Sequence, residues 1–349
     1  MSEEKTIIDI EESEKQDIYH MLERTILASD LTPEQKRKQI EQVAKMMQKQ
    51  VDILLVGATA VGKSSTICAL FKTETAVHSE VAPIGVDVDP ETSKMESYKL
   101  QNLTLWDSPG LGDSNEADKK YMEMIREKLN ERDASGNALI DLVLVILDAA
   151  SKDLGTTYEC INNVLVPALG KEEASRRILV AINQADMGLK GRHWNQELNS
   201  PDLELTEYLD RKVDSVARRL FESTGIRFEP VYYAAGYKEP GQEQREPYNL
   251  TKLLMMIINA IPKEKRLVVA NAINPERGNW KYTDGRKDYG SEVLRSLWET
   301  VKDTVWEFAD RGIEYGVWIA GTPGGVLGGI IGAVIGSFVG AVKYVAENN

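Results

Sequence analysis

The feature that most constrains the fold is a glycine-containing loop that follows an apolar, strand-like run. Residues 51–56 read Val-Asp-Ile-Leu-Leu-Val, and the residues from Gly57 to Ser64 match the pattern G-x-x-x-x-G-K-[ST] in full. In a strand–loop–helix context, the backbone N–H groups of such a loop and the N-terminus of the next helix bind phosphates. The pattern therefore predicts a nucleoside-triphosphate site. Its expected contacts are Gly57, Thr59, Ala60, Val61, Gly62, Lys63, Ser64 and Ser65.

Two side chains of this loop have distinct predicted roles. Lys63 is expected to reach the β- and γ-phosphates, where its charge would assist phosphoryl transfer. Ser64 is expected to ligate Mg²⁺ through its hydroxyl oxygen.

The middle of the chain alternates between two kinds of apolar pattern. Between about residues 51 and 262, β-prone runs alternate with helical periodicity, which is typical of a mostly parallel sheet with helices on both faces. The order predicts an α/β fold in which 93–100 and 103–107 form a hairpin that adds one antiparallel strand. We expect six strands, near 51–56, 93–100, 103–107, 140–147, 177–182 and 228–233. The expected helices lie near 63–72, 116–131, 156–169, 203–224 and 248–261.

A second motif, Asp107-Ser-Pro-Gly110, follows the end of the third expected strand. A carboxylate in this place can hold the Mg²⁺ shell through water, and a glycine N–H can bond the γ-phosphate. Because the motif comes roughly 45 residues after Lys63 and at a strand end, it predicts a loop that senses the nucleotide.

A third motif, Asn183-Gln184-Ala185-Asp186, follows the strand expected at 177–182. The Asp186 carboxylate can accept two hydrogen bonds from the N1–H and exocyclic amino group of guanine, a pair of donors that adenine lacks. A carboxylate facing adenine would be left unpaired, so the motif favours GTP over ATP. Asn183 is expected to support the base and its loop.

In this order, the three motifs resemble the Era-like GTPases of the translation-factor-related (TRAFAC) class and, within them, the stand-alone bacterial YfjP-type GTPases. The resemblance covers roughly residues 50–262. It implies a P-loop G domain that binds GTP and GDP with Mg²⁺ and hydrolyses GTP to GDP and phosphate. Lys63, Thr92 and Gly110 would then be the catalytic residues, and Ser64, Thr92 and Asp107 the metal-binding ones.

The resemblance also implies two loops that the motifs themselves do not contain. One carries a threonine that closes over the γ-phosphate and Mg²⁺; Thr92 is the best candidate, with Thr73 and Thr75 as competitors. The other caps the base and corresponds here to Ala234 and Ala235.

Three positions depart from the family pattern. Gln184 replaces the usual lysine, so base discrimination should survive through Asp186 while affinity is expected to fall. Leu111 replaces the glutamine that orients the attacking water in Ras-like members. Hydrolysis is therefore expected to be slow without another residue, a partner or a second copy, unless the backbone and Thr92 position the water alone. Ala60 stands where some relatives hold an activating potassium ion through asparagine, so potassium activation is not supported.

The two ends of the chain have different compositions. Residues 1–49 predict two amphipathic helices, the second capped by Thr32 with Gln35. Residues 263–315 predict a linker and an amphipathic helix, and 316–349 a glycine-rich hydrophobic tail. From Tyr315 to Val342 there is no charged residue, and glycine recurs at every fourth position from 324 to 340. This pattern suits close helix packing in lipid, with a helical hairpin buried against soluble helices as the alternative.

Composition and termini bear on partners and location. The chain has 349 residues with 55 acidic and 42 basic side chains, a formal charge of −13, which argues against nucleic-acid binding because phosphates would be repelled. The first residues lack a secretory pattern, so a cytoplasmic location is expected, with membrane association on the cytosolic face through 316–346. Homo-oligomerisation through the tail or the G domain is left open, and the sequence names no effector or activator.

Three functions fit this reading. The first is a GTP-dependent conformational switch at a membrane. The second is a membrane-remodelling or pore-like assembly protein that GTP gates, which deletion of the tail would inactivate altogether. A ribosome or RNA assembly GTPase ranks below both because of the acidic charge.

Overall fold

The computed structural model describes residues 18–305 apart from 29–31, 74–76, 80–93 and 237–244. Thr75, Thr92 and the tail 316–349 lie outside the described residues. Within the described part of the chain, no helix combines the length and apolar character needed to cross a membrane.

A seven-stranded sheet forms the centre of the molecule. Its strands are β1 (Val51–Gly57), β2 (Val77–Ser79), β3 (Glu96–Leu100), β4 (Leu103–Asp107), β5 (Leu142–Asp148), β6 (Ile178–Asn183) and β9 (Val231–Tyr232), and a separate hairpin pairs β7 (Trp194–Asn195) with β8 (Ser200–Pro201). The strand order in the sheet is β2-β3-β4-β1-β5-β6-β9. Strands β4, β1, β5, β6 and β9 run parallel, and β3 and β2 are antiparallel additions at one edge. The predicted, mostly parallel sheet is confirmed.

Strand β2 was not among the six expected strands, because three residues are too few to show an alternating pattern. The strand expected at 228–233 is reduced to Val231 and Tyr232. The hairpin turn falls at Gln101 and Asn102 as expected.

The helices cover both faces of the sheet. They are α1 (Ile18–Ala28), α2 (Pro33–Met47), α3 (Lys63–Leu70), α4 (Asn115–Asn130), α5 (Gly155–Cys160), α6 (Val166–Leu169), α7 (Lys171–Arg177), α8 (Leu203–Thr224), α9 (Leu250–Ala260), α10 (Arg266–Asn271) and α11 (Tyr289–Val305). A π-helical turn, Ile161–Leu165, joins α5 to α6. The predicted cap of α2 is present: Thr32 Oγ1 accepts from Gln35 N–H, and Thr32 N–H donates to Gln35 Oε1 at 2.9 Å.

Alternation along β1 divides the core in two. Every residue of β1 is buried. Ile53 and Leu55 lie in a first core, to which α1, α2, α3, α9, α10 and α11 contribute. Leu54 and Val56 lie in a second core, beneath α4 to α8. The helices that flank the predicted G domain therefore cover the same face of the sheet as α3.

Polar contacts attach these flanking helices at the amino ends of the central strands. Ile18 N–H donates to Asn271 Oδ1 at 3.1 Å, which joins α1 to α10. Lys265 Nζ donates to Asp141 Oδ1 at 2.6 Å, immediately before β5. Asp141 Oδ2 also accepts from Asp52 N–H at 3.1 Å. The segment after α9 is thus fixed to both β1 and β5.

Asp52 is a buried carboxylate in this group. Its Oδ1 accepts from the Trp106 indole N–H at 2.9 Å. Burial raises the pKa of Asp52 above its ordinary value, and the nearby charge of Asp141 adds to the effect. The ionised form of Asp52 is therefore less favourable in the folded chain than in water.

Candidate functional site

The loop between β1 and α3 lies at the carboxyl ends of the parallel strands, where an α/β sheet forms its ligand crevice. Close packing explains both of its glycines. A Cβ on Gly57 would lie 2.4 Å from Ile146 O, and a Cβ on Gly62 would lie 2.4 Å from Asn183 Nδ2. Gly62 also has a φ of +86°, which favours glycine. α3 then begins at Lys63, with Ser64 and the half-buried Ser65 in its first turn.

Lys63 lies beneath this loop and is only 8% exposed. Its Nζ donates to Ala58 O at 3.2 Å and to Gly57 O at 3.4 Å. Burial lowers the pKa of Lys63, while the charges of Asp107 and Asp113 oppose that shift. A buried ammonium group in a loop of this kind is suited to compensate phosphate charge.

Two of the three predicted magnesium ligands, Ser64 and Asp107, are adjacent. Ser64 Oγ donates to Asp107 Oδ2 at 2.7 Å. Asp107 is 1% exposed, and its Oδ1 has no hydrogen-bond partner among the described residues. Burial raises the pKa of Asp107, and Lys63 and Ser64 act in the opposite direction. Hydroxyl and carboxylate oxygens are the donors that Mg²⁺ prefers, so an orphaned carboxylate oxygen beside Ser64 fits this ion.

The loop after Asp107 packs directly on the phosphate-binding loop. Thr59 N–H donates to Leu111 O at 3.0 Å, and Leu111 N–H donates to Gly57 O at 3.1 Å. A Cβ on Gly110 would lie 2.6 Å from Thr59 Cα. The Leu111 side chain is 1% exposed and lies in the second core. It therefore points away from any water that would attack a γ-phosphate.

Asn183 connects three loops. Its Nδ2 donates to Val61 O at 2.8 Å, and its Oδ1 accepts from Ala235 N–H at 3.0 Å. Its neighbour Gln184 has a φ of +60° and donates through Nε2 to Ala60 O at 2.8 Å. The structure thus brings the third motif against the phosphate-binding loop, and Asn183 joins it to the predicted base-capping residue Ala235.

Ala60 and Asp186 complete the predicted set. Ala60 has a φ of +60°, a left-handed conformation that is unusual for a residue with a Cβ. Asp186 is half-buried at the start of the 3₁₀ segment Ala185–Gly191. Burial raises the pKa of Asp186, and the charge of Arg245 opposes the shift. Ala234, like Ala235, is buried.

Two acidic residues outside the motifs hold the loop after Asp107. Thr59 Oγ1 donates to Asp113 Oδ1 at 2.7 Å, and Gly112 N–H donates to Asp118 Oδ1 at 2.7 Å. Sequence reasoning missed both roles. The signal available was the short distance of these carboxylates from Gly110 along the chain, which places them on the same loop and the first turn of α4.

Comparison with known proteins gives a family match and several distant likenesses. Residues 52–184 match the family described as 50S ribosome-binding GTPase. Two uncharacterized proteins of Escherichia coli K12 are similar: YkfA is 24% identical over 270 residues, covering 76% of this chain and 81% of the relative. YfjP is 27% identical over 267 residues, covering 75% of this chain and 80% of the relative.

Solved structures with a similar fold include two with a bound nucleotide. Toc33 of Arabidopsis thaliana in complex with GDP and Mg²⁺ is 17% identical, with a TM-score of 0.39 over 70% of this chain and 96% of that one. Era of Aquifex aeolicus bound to GDP·AlF₄⁻ is 18% identical, with a TM-score of 0.38 over 71% of this chain and 66% of that one.

Proposed function

We propose that this P-loop GTPase, which binds GTP and GDP with Mg²⁺ and hydrolyses GTP to GDP and phosphate, acts as a conformational switch. The observation that carries the proposal is the backbone contact between the phosphate-binding loop and the loop after Asp107. Thr59 N–H and Leu111 O bond at 3.0 Å, and Gly110 packs on Thr59. A γ-phosphate that draws the Gly110 N–H toward itself competes with these contacts, so GTP and GDP favour different positions of the loop.

The site residues divide the chemistry among them. Lys63 would neutralise the β- and γ-phosphates. Ser64 and Asp107 would hold Mg²⁺, which would supply positive charge against the transferred phosphoryl group. Gly110 N–H bonds the γ-phosphate, and Thr92 closes over it. With Leu111 buried, the described residues place no side-chain amide after Gly110 to orient water. Hydrolysis is therefore slow until another residue, a partner or a second copy supplies that group.

Amide hydrogen exchange on the full chain tests the switch. We expect residues 107–113 to exchange at different rates with GDP–Mg²⁺ and with a non-hydrolysable GTP analogue, and α8 to serve as the internal control. Equal exchange of 107–113 in the two states, at saturating nucleotide, would show that this loop does not respond to the γ-phosphate.

We assign guanine selection to Asp186. The support is its half-buried carboxylate on the first turn after Asn183. Asn183 in turn accepts a hydrogen bond from Ala235 N–H of the predicted base-capping segment. Competition against a fluorescent GDP measures the selectivity directly. ATP that displaces the probe as well as GTP would defeat this role.

We further propose that the switch operates at a membrane through residues 316–346. The support is the uncharged run from Tyr315 to Val342 and its glycine period of four. Membrane fractionation of the full chain and of residues 1–315 tests it, with the full chain expected to resist alkaline washing and the shorter form to be released. If alkaline washing releases both forms, the tail does not insert.

A further inference from the structure

A buried tyrosine joins the phosphate-binding loop to the segments that would hold the base. Tyr233 directly follows β9 and precedes Ala234 and Ala235. It is fully buried in the first core, in which Ile67 of α3 also lies. Its side chain therefore lies on the face of the sheet that α3 covers.

The Tyr233 hydroxyl is hydrogen-bonded to α3. Its oxygen lies 2.7 Å from Oγ1 of Thr66, which is also fully buried. Thr66 Oγ1 in turn donates to Gly62 O at 2.7 Å. Because a threonine hydroxyl has only one proton, the Tyr233 hydroxyl is the donor in its bond with Thr66. The chain of bonds therefore runs from Tyr233 through Thr66 to Gly62, the residue before Lys63.

The backbone of Tyr233 holds the guanine motif. Tyr233 O accepts from Ala185 N–H at 3.0 Å, and Tyr233 N–H donates to Ile182 O at 2.9 Å. Ala185 is buried and directly precedes Asp186. A single residue thus contacts the end of the phosphate-binding loop through its side chain and the base-reading motif through its main chain.

We propose that Tyr233 is a positioning residue that fixes the base-reading motif relative to the phosphate-binding loop. A guanine nucleotide must meet Asp186 and the phosphate-binding loop at the same time. Its affinity is greatest when both are already held in the correct relative position, because no ordering is then needed on binding. The Tyr233 hydroxyl supplies this alignment by tying Ala185 to Gly62. The inference rests on the guanine site proposed above.

Tyr233→Phe tests the inference, since it removes the hydroxyl and keeps the ring in the core. The measurement is displacement of a fluorescent GDP from the full chain by GDP and by inosine diphosphate (IDP), whose base keeps the N1–H and lacks the exocyclic amino group. Loss of the bond should weaken GDP binding about fivefold. IDP should lose less affinity, because it makes one bond fewer to Asp186 that misalignment can weaken.

Thr66→Val shows whether Tyr233 acts through Thr66. Valine keeps the shape of threonine and removes the hydroxyl. If the effect of Tyr233 passes through this bond, the double variant should bind GDP as well as Thr66→Val alone does.

Tyr232→Phe is the matched control at the neighbouring position. The Tyr232 hydroxyl is also buried, and it has no hydrogen-bond partner among the described residues. Its removal should leave the affinities for GDP and IDP unchanged.

Three results would overturn the role of Tyr233. The first is a GDP affinity of Tyr233→Phe equal to that of the wild type, whatever the unfolding temperature. The second is an equal loss for GDP and IDP, because a general support of the fold or of the phosphate-binding loop does not distinguish the two bases. The third is additive loss in the double variant. A wild-type chain that binds GDP and IDP equally would instead refute the guanine site itself.

Discussion

Replacing Asn183 with alanine removes the link between three loops of the nucleotide site. The amide makes two bonds, to Val61 O at 2.8 Å and from Ala235 N–H at 3.0 Å, and Asn183 is 3% exposed. Alanine leaves a buried carbonyl and a buried N–H without partners. Each orphaned group costs about 1–3 kcal/mol. Taking the low end for both gives about 2 kcal/mol, which corresponds to roughly 30-fold in GDP affinity.

Fluorescent GDP titration of Asn183→Ala measures this loss, with thermal unfolding of the nucleotide-free chain as a second readout. Asn137→Ala is a suitable control, because its exposed amide bonds Asp133 on a surface turn and the change should cost less than about 0.5 kcal/mol. A GDP affinity within threefold of wild type, with an unaltered unfolding temperature, would refute the bridging role of Asn183.

Three further changes have expected outcomes. Gly110→Ala forces a methyl group against the Thr59 backbone, so the two loops should separate at a cost of about 1–3 kcal/mol, seen as faster hydrogen exchange in the loop after β4. Gln184→Ala deprives Ala60 O of its donor and should weaken GDP binding about fivefold, the equivalent of about 1 kcal/mol. Gln184→Lys should restore the GDP affinity, and equal GDP affinities of the wild type and both variants would contradict a role for this contact. Asp52→Asn keeps an acceptor for the indole N–H while removing a buried charge, and should stabilise the fold at pH 7. Because burial raises the Asp52 pKa, the gain in unfolding free energy should shrink as the pH falls through that raised value and vanish near the ordinary value of 3.8. Urea unfolding of both proteins at pH 4 and pH 7 measures it, and an equal gain at the two pH values would contradict the reasoning.

The alternation of strands and helices predicted the fold because burial on both faces of a parallel sheet leaves a visible pattern. β1 and β5 are apolar almost throughout, and the helix expected at 203–224 has those bounds in α8. The short strand β2 and the π-helical turn before α6 carry no such period, so local propensity does not indicate them. The four-part division of the chain stays a prediction, although the flanking helices share the first core with the sheet.

Motif spacing predicted which residues meet at the site, but not how they are bonded. The adjacency of Ser64 and Asp107 follows from a helix start and a strand end at the same edge of the sheet. The contact between Gln184 and Ala60 depends on two residues with positive φ. That conformation is not encoded in a local pattern. The expected role of Thr92 concerns a residue outside those described.

Because β1 and the flanking helices share one core, the sheet cannot be separated from these helices, by proteolysis or by gene rearrangement, without exposing apolar residues. Residues 52–184, the part that matches the family, would expose Ile53 and Leu55 to water if they were separated from α1, α2 and α9 to α11. An exposed apolar sheet face of this kind promotes aggregation. Limited digestion should therefore yield a resistant fragment that retains both flanks, and a gene duplication or fusion would have to carry the flanking helices along with the GTPase to give a soluble product.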